Sequence, residues 1–468
     1  MKISDFLNKE VVDFASYSTI RAIPSLVDGL KNSGRKVAST IQTRKQLETK
    51  VSILAGIIAV ETEYLHGDIS GSIVSMAKNF TGTNNLPLLT REGNFGTRYE
   101  PEASAGRYIF TGKEEIFDKL FIKEDNDIII QQEFEGTIIE PKFFVPTLPM
   151  IAINGGEGIA TGFASKILPR NPELVKQYLK NKLIGKKVPE LLPWYSGFTG
   201  EIEKGEKPNQ YIIKGTVKRE NSFNILITEL PIGYNLTSYT KILDDLEEKK
   251  IIKGYDDLSE NDRFKFRLRV QSSFSKTEKG MLDKLKLIKK VTENFTVVNE
   301  DNKIIVCNSI YEIIDKYIEV KKLFMIKRKE FMLSKIENNL NDLNSKYIFI
   351  ENIQNGKIIV NKKSKDEIIS QIKLIDEIKE NDSEYDYLLR MPIYSLTIEK
   401  LDELKNEIIE KDNIYKKLYE TSEIKLWEND VDNILFTKEK IKSPSKIENK
   451  KTKIENKKVK MSSAKDLF

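Results

Sequence analysis

LETKVSILAGIIAVETEYL (residues 47–65), SGSIVSMAKNF (70–80) and TGTNNLPLLTREGNFG (81–96) follow one another with little between them. The first is apolar on most sides from Val51 to Val60, which predicts a buried helix. The second has the patterning of a shorter helix. The third is rich in Gly, Asn and Pro, the composition of a connector. Two helices, a connector and then short extended segments is the sequence shape of a helix-turn-helix or winged-helix module. It falls within a first block, residues 1–125, that reads as mixed and compact.

Beyond it the character of the chain changes. In residues 126–275, DIIIQQEF, TIIEPKFFVP, QYIIKGTV, FNILITEL and FKFRLRV are β-branched or aromatic runs bounded by Gly, Pro, Asn and Asp, and they predict strands. NPELVKQYLKNKL and SYTKILDDLEEKK predict helices between them, so this block is an α+β domain. Residues 276–435 are dominated by helix. Leu333, Ile336, Leu340, Leu343, Tyr347 and Ile350 keep a 3-4-3-4-3 spacing, and Ile326 extends it upstream. Leu401, Leu404, Ile408, Tyr415 and Leu418 continue the rhythm, interrupted at Lys411. Two heptad segments around a short insert predict a long antiparallel coiled-coil hairpin with a small globular tip. Ordinary bundle helices would show the same short runs. Residues 436–468 repeat KIENKK, carry almost no large apolar side chain and should be disordered. They end in SSAKDLF, which has the look of a docking peptide, for example for a replication sliding clamp.

Composition bounds the rest. The 468 residues, 39% hydrophobic and 31% charged, suffice for roughly three domains with wide polar surfaces. No apolar run approaches the roughly 18 residues a membrane span needs, and the acid-containing start lacks a signal peptide's apolar stretch, so a cytoplasmic, non-membrane protein is expected. Cys307 alone excludes internal disulfides and a Cys-based zinc site. His66 alone excludes His-rich metal sites and mechanisms that need two imidazoles. The net charge of +5 is unevenly placed. Residues 441–468 hold nine Lys against three acids, which leaves the body about neutral. Arg21, Lys31, Arg35, Lys36, Arg44, Lys45 and Lys50 then face only Asp28 and Glu48 within 21–50. Such a patch suits a polyanion, and a solvated charged face would look alike.

There is no GxxxxGK[ST] loop. GGEGIATG (155–162) is Gly-rich without the dinucleotide spacing, and Pro169 follows it rather than a long helix. The acids in Glu124-Asp125-Asn126-Asp127 and Asp430-Val431-Asp432 read as exposed rather than metal-ligating. In GRYIFTGK (106–113), Tyr108 follows Arg107. A phenol is a poor nucleophile unless a neighbour takes its proton or steadies the oxyanion, and a guanidinium can hold phosphate oxygens too. Arg-Tyr pairs are common, so the dipeptide alone carries little. It gains weight from the basic cluster, His66 and the Gly-rich loop nearby.

RAIPSLVDGLKNSGRKV (21–37), YLHGDISGSIVSMAKNF (64–80), LPLLTREGNFGTR (86–98), ASAGRYIFT (103–111) and PMIAINGGEGIATGFASKILPRNP (149–172) occur in that order. Together they resemble the DNA breakage-reunion region of the type IIA topoisomerases. TELPIGYN (228–235), KLKLIKKVTENFTVVNEDNKI (284–304) and YDYLLRMPIYSLT (385–397) resemble its eukaryote-like branch, so the likeness spans about residues 15–435. A chain with no ATPase or metal-binding part is similar to the cleavage subunit of the T-even-like phage enzymes. The resemblance implies a winged-helix cleavage domain (1–125), an α/β tower (126–275), and a coiled-coil hairpin whose tip forms a dimerising C-gate (276–435). It implies that Tyr108 attacks a backbone phosphate and becomes joined to the 5′ end, with Arg107 steadying that phosphate. Arg21, Lys31, Arg35, Lys36 and His66 match basic positions along the DNA and the scissile phosphate. Ile159 matches the residue that wedges between base pairs, and Asn154 lies in the same turn. Mg²⁺ would be held by a Toprim domain and ATP by an ATPase domain, both on a large partner subunit. Asn32-Ser33 and Gly106 depart from the family's usual residues, which bears on drug sensitivity and site preference. A non-catalytic DNA-binding scaffold of the same fold is the alternative; a tyrosine recombinase is disfavoured by the single histidine.

Overall fold

Residue 3 and residues 6–44, 48–381 and 384–436 are described in the computed structural model. The Lys-rich tail, with its expected disorder and docking peptide, lies outside the described residues. Within them no helix is long and apolar enough to cross a membrane.

Helices α1 (Val11–Ala22), α2 (Asn32–Thr43), α3 (Val51–Glu61) and α4 (Ser70–Ala77) open the chain. The helix expected over 47–65 is shorter than its pattern. Thr49 and Lys50 are extended and pair antiparallel with Thr111 and Phe110. β-Branched Thr49 suits that backbone. The apolar surface of α3 is not buried all round either. Val51, Leu54, Ala55 and Ile58 face the core, while Ile53 and Val60 are exposed.

The α+β character of the middle block is present in the structure. Gln210–Lys214 lies between Glu201–Lys204 and Ile288–Thr292 in a three-stranded antiparallel sheet. A four-stranded antiparallel sheet has the spatial order Gly254–Asp257, Phe266–Arg269, Asn224–Glu229, Thr216–Arg219. Helix α5 (Pro172–Leu183) starts where the Asn171 side chain accepts the amides of Glu173 and Leu174. Helix α6 (Leu236–Glu248) starts in a capping box of Asn235 and Ser238 and buries Tyr239, Leu243 and Leu246 on the four-stranded sheet. Two hairpins had no signal in the sequence reading. One pairs Gly156–Ala160 with Phe163–Ile167; the other pairs Phe295–Val298 with Ile304–Cys307. The main core joins distant parts of the chain, from Leu26, Val37 and Leu54 through Leu148 and Ile151 to Val297, Ile314 and Trp427.

Helix α7 (Ile310–Gln354) is 45 residues long and runs antiparallel to α8 (Ile398–Glu420). The order of contacts fixes the direction. Gln354 bonds the Leu396 carbonyl at the far end, and Leu343 and Ile350 bury against Leu404 midway. At the near end Lys329 pairs with Glu423 of α9 (Glu423–Asp432). The insert between α7 and α8 has a small core of its own around Phe349, Ile358, Ile372 and Leu388. Ile326, expected in the heptad seam, is exposed, because the base of α7 leaves α8 and packs Phe324 and Met325 into the main core.

Two acids expected on the surface meet one cation at that base, Asp125 buried and Asp430 half-buried. Asp125 is buried and meets the Arg328 guanidinium at 3.1 Å, and Asp430 pairs with the same guanidinium at 2.6 Å. The sequence showed short acidic runs; the long helix that brings a cation between them lies some two hundred residues from one and a hundred from the other. Lys321 sits beside them, fully buried, donating to the Val145 carbonyl at 2.8 Å. Burial drives its amine down to about 8, against the pull of Asp125 and Asp430 and with the push of Arg328. The unfolded chain therefore holds one more proton than the folded chain between about pH 8 and the amine's ordinary value, and stability rises with pH across that window. Denaturant midpoints for wild type and Lys321→Met should diverge between pH 8 and 9.5. The wild type should gain about 1.4 kcal/mol per pH unit relative to the variant. Parallel curves would show that Lys321 does not titrate there.

Candidate active site

Tyr108 lies in a loop clamped to the start of α3. The Gly106 carbonyl accepts the Ser52 amide at 3.1 Å, and the Ile109 carbonyl accepts the Val51 amide at 3.0 Å. A Cβ at position 106 would stand 3.2 Å from the Ser52 nitrogen and 3.4 Å from Ser70 Oγ, so glycine lets the loop lie flat there. Phe110 then pairs with both Lys50 and Glu92. Held on both sides, Tyr108 nevertheless points outward and is 65% exposed, with the Arg107 guanidinium over its ring at 5.0 Å. No acid is paired with Arg107 among the described residues, so its donors are open to an anion. Nearby, Glu48 hydrogen-bonds Glu92, and that shared contact raises the Glu48 carboxyl above its ordinary range.

A second group forms where the Gly156–Ile167 hairpin meets α1. The Ala22 carbonyl lies 2.2 Å from where a Cβ of Gly158 would be, so only glycine permits this approach. It puts Arg21, exposed on the last turn of α1, next to the strand bearing Ile159. Ile159 is 87% exposed, an apolar side chain projected into solvent from a strand whose Glu157 and Lys166 pair across the hairpin.

Lys31, exposed at the N-cap of α2, and Asn154 line an open cleft of about 590 Å³. Asn154 is committed to the backbone: its amide accepts from Leu86 N and donates to Leu86 O. It pins the connector rather than presenting a free group. Arg35 and Lys36 differ from the open cations expected. Arg35 is buried against Asp28, which also accepts the Leu30 and Phe144 amides. Lys36 is buried between Glu140, at 2.7 Å, and the Thr62 carbonyl. Both charges are already neutralised, so they brace α2 in this chain. Lys78, Ser33 and Ser72 also line the cleft, and the sequence reading assigned them no part. Lys78 donates to the Pro101 carbonyl at 2.7 Å, and burial lowers its amine. Its place within SGSIVSMAKNF, one turn beyond Ser75, was the available signal.

His66 is exposed beyond the C-terminal end of α3, the end opposite Tyr108. It lies four residues before Ser70, whose Oγ comes within 3.4 Å of a Cβ at position 106 on the Tyr108 loop. Among the described residues no three His, Cys, Asp or Glu side chains converge as a metal cage.

An outward tyrosine under a guanidinium that is unpaired among the described residues, an exposed isoleucine beside an arginine, and an open cleft lined in part by Lys31 and Lys78 make up a surface that can meet a nucleic-acid backbone. This chain belongs to the family of DNA gyrase/topoisomerase IV A subunits, which it matches over residues 21–433. It is 32% identical over 450 residues to the mitochondrial DNA topoisomerase 2 of Dictyostelium discoideum, covering 92% of this chain and 35% of the relative. To DNA topoisomerase 2 of Invertebrate iridescent virus 6 it is 32% identical over 453 residues, covering 92% and 38%. The chain thus spans little more than a third of these curated relatives. The crystal structure of the Plasmodium falciparum topoisomerase II DNA-binding, cleavage and re-ligation domain superposes with a TM-score of 0.83 at 31% identity, covering 92% of this chain and 63% of that one.

Proposed function

We propose that this chain is the DNA-breaking and rejoining part of an ATP-dependent type II DNA topoisomerase, similar to the medium subunit of T-even-like phage enzymes. The observation that carries the reading is the exposed Tyr108, its ring under an Arg107 guanidinium that is unpaired among the described residues, on a clamped loop. The phenolic oxygen forms a bond to phosphorus as the 3′ sugar oxygen leaves, giving a 5′-phosphotyrosyl link. The reverse attack by that hydroxyl reseals the strand, and the diester keeps the bond energy meanwhile. Arg107 holds the non-bridging oxygens and offsets their charge. Arg21, Lys31 and His66 face the backbone, so affinity falls steeply with salt. Arg35 and Lys36 hold α2 in place from within.

The blocks 1–125, 126–275 and 276–435 are proposed as the winged-helix cleavage domain, the tower, and the coiled-coil arm with its dimerising tip. Exposed Tyr394 and Ile398 at the tip suit a homodimer. Mg²⁺ and ATP are proposed to be bound by Toprim and ATPase parts on a large partner subunit; when bound, the metal assists the attacking and leaving oxygens. A cytoplasmic site of action is part of the reading.

The test is to trap a covalent protein–DNA adduct by denaturing the complex of this chain with its large subunit in the presence of Mg²⁺ and DNA. The adduct should map to Tyr108; its absence would favour the non-catalytic scaffold. Ile159 gives a second measurement. Being 87% exposed, it can be cut to Ala without loss of fold. Ile159→Ala should abolish most of the DNA bend, read by end-to-end fluorescence transfer, and lower cleavage about tenfold, or about 1.4 kcal/mol. An unchanged bend would remove Ile159 from the wedge role.

A further inference from the structure

His66 is the one histidine of the chain, and its ring is not surrounded by solvent alone. The Tyr17 hydroxyl, from α1, hydrogen-bonds its Nε2. The two rings lie 5.8 Å apart with a 46° tilt, and Tyr64 approaches from another side, edge-on, at 5.9 Å. A neutral imidazole has one nitrogen that donates and one that accepts, and the partner of the first decides what the second offers. A hydroxyl donating to Nε2 leaves the proton on Nδ1.

Helix α1 does more than carry this hydroxyl. Arg21 lies four residues after Tyr17 and therefore on the same helical face. Ser18 contacts Thr161 at the hairpin turn, and the Ala22 carbonyl seats Gly158. One short helix thus touches the histidine, presents the arginine and supports the Ile159 hairpin. Tyr17 is its only side chain shown to reach His66.

We infer that Tyr17 is a positioning residue for DNA cleavage. Its hydroxyl fixes His66 as the Nδ1–H tautomer and turns that N–H outward as a donor to a phosphate oxygen. This rests on the reading of the chain as the DNA-cleaving part of the enzyme and adds to it a residue that touches no DNA itself. Tyr17 acts through His66: no bond is made or broken at its oxygen, and its proton stays in the hydrogen bond.

The single histidine makes the tautomer measurable without ambiguity. Selective ¹⁵N-histidine labelling of the full chain yields one pair of ring nitrogens. In the wild type the protonated nitrogen should be Nδ1, and a duplex oligonucleotide should shift it. Tyr17→Phe keeps the half-exposed ring and removes the hydroxyl. It should move the ring toward the Nε2–H form that free imidazoles prefer. In the complex with the large subunit it should slow adduct formation about tenfold, the low end of the loss seen when a ligating histidine loses its supporting partner. Duplex affinity should fall much less than the cleavage rate, so the loss falls mainly on the rate rather than on binding. Both changes together are required. An unaltered tautomer, or an altered tautomer with an unaltered cleavage rate, would overturn the role of Tyr17 while leaving the topoisomerase reading standing. If the wild-type complex forms no Tyr108-linked adduct, that reading falls and the role of Tyr17 falls with it.

Discussion

Tyr108→Phe is expected to eliminate the covalent adduct while duplex binding persists. The hydroxyl is the only group removed, and the ring that lies under Arg107 stays. Because the side chain is largely exposed, the change leaves no cavity and no stranded buried group. DNA affinity should therefore stay within about 0.5 kcal/mol of wild type, the range of ordinary surface substitutions. Cleavage, by contrast, should fall about 10⁵- to 10⁶-fold, the scale on which an enzyme loses its nucleophile, and in practice to background. Denaturing gels report the adduct, and mobility shifts at fixed salt report binding. The chain has 18 tyrosines, so peptide mapping of the wild-type adduct is the stricter measurement. An adduct that persists in the variant, or that maps to another tyrosine, would remove Tyr108 from the reaction.

The neighbourhood of Tyr108 and Arg107 was legible in part, because the two are adjacent in the chain. Gly106 shapes the loop that displays them, but its clamp to Thr49, Lys50 and the start of α3 joins segments well apart in the chain and carried no such signal. The heptads of α7 and α8 were legible because their spacing repeats along each helix. What could not be read is pairing across distance. Lys36 looked like one more exposed cation, but its partner Glu140 is 104 residues away and takes it into the interior. Asp125 and Asp430 looked like separate exposed acids until Arg328 came between them. The hairpin under Ile159 failed differently. Its strand is Gly156-Glu157-Gly158-Ile159-Ala160, poor in every strand-forming residue but one. It is extended because α1 receives it on one side and its partner strand, itself held by residues 293–294, pairs with it on the other, a condition set by tertiary contacts.

The contact at residues 293–294 leads to a large expected change in stability. Arg170 and Glu293 are 123 residues apart in sequence, and neither side chain has any exposed surface. Glu293 accepts two guanidinium bonds, at 2.5 and 2.7 Å, and the Leu168 amide at 2.7 Å. Leu168 directly follows the hairpin strand, so the same carboxylate closes the ion pair and anchors the base of the hairpin that carries Ile159. Removing one member of such a pair strands the other charge in the interior, whereas replacing both by apolar groups of similar size removes the desolvation cost as well. Glu293→Leu should therefore cost about 3–5 kcal/mol by urea denaturation. The double change Arg170→Met with Glu293→Leu should be clearly more stable than that single variant, despite having one substitution more. The Leu168 amide stays unpaired in both, and the double variant also leaves the Leu168 and Leu191 carbonyls without the Arg170 donors, so recovery should stop at least about 1–3 kcal/mol short of wild type. A single variant losing under about 1 kcal/mol, or a double variant weaker than the single, would show that water reaches the pair and that the hairpin is anchored elsewhere. The order single below double below wild type separates a closed ion pair from a general sensitivity of the core, because two cavities in an ordinary apolar core destabilise more than one.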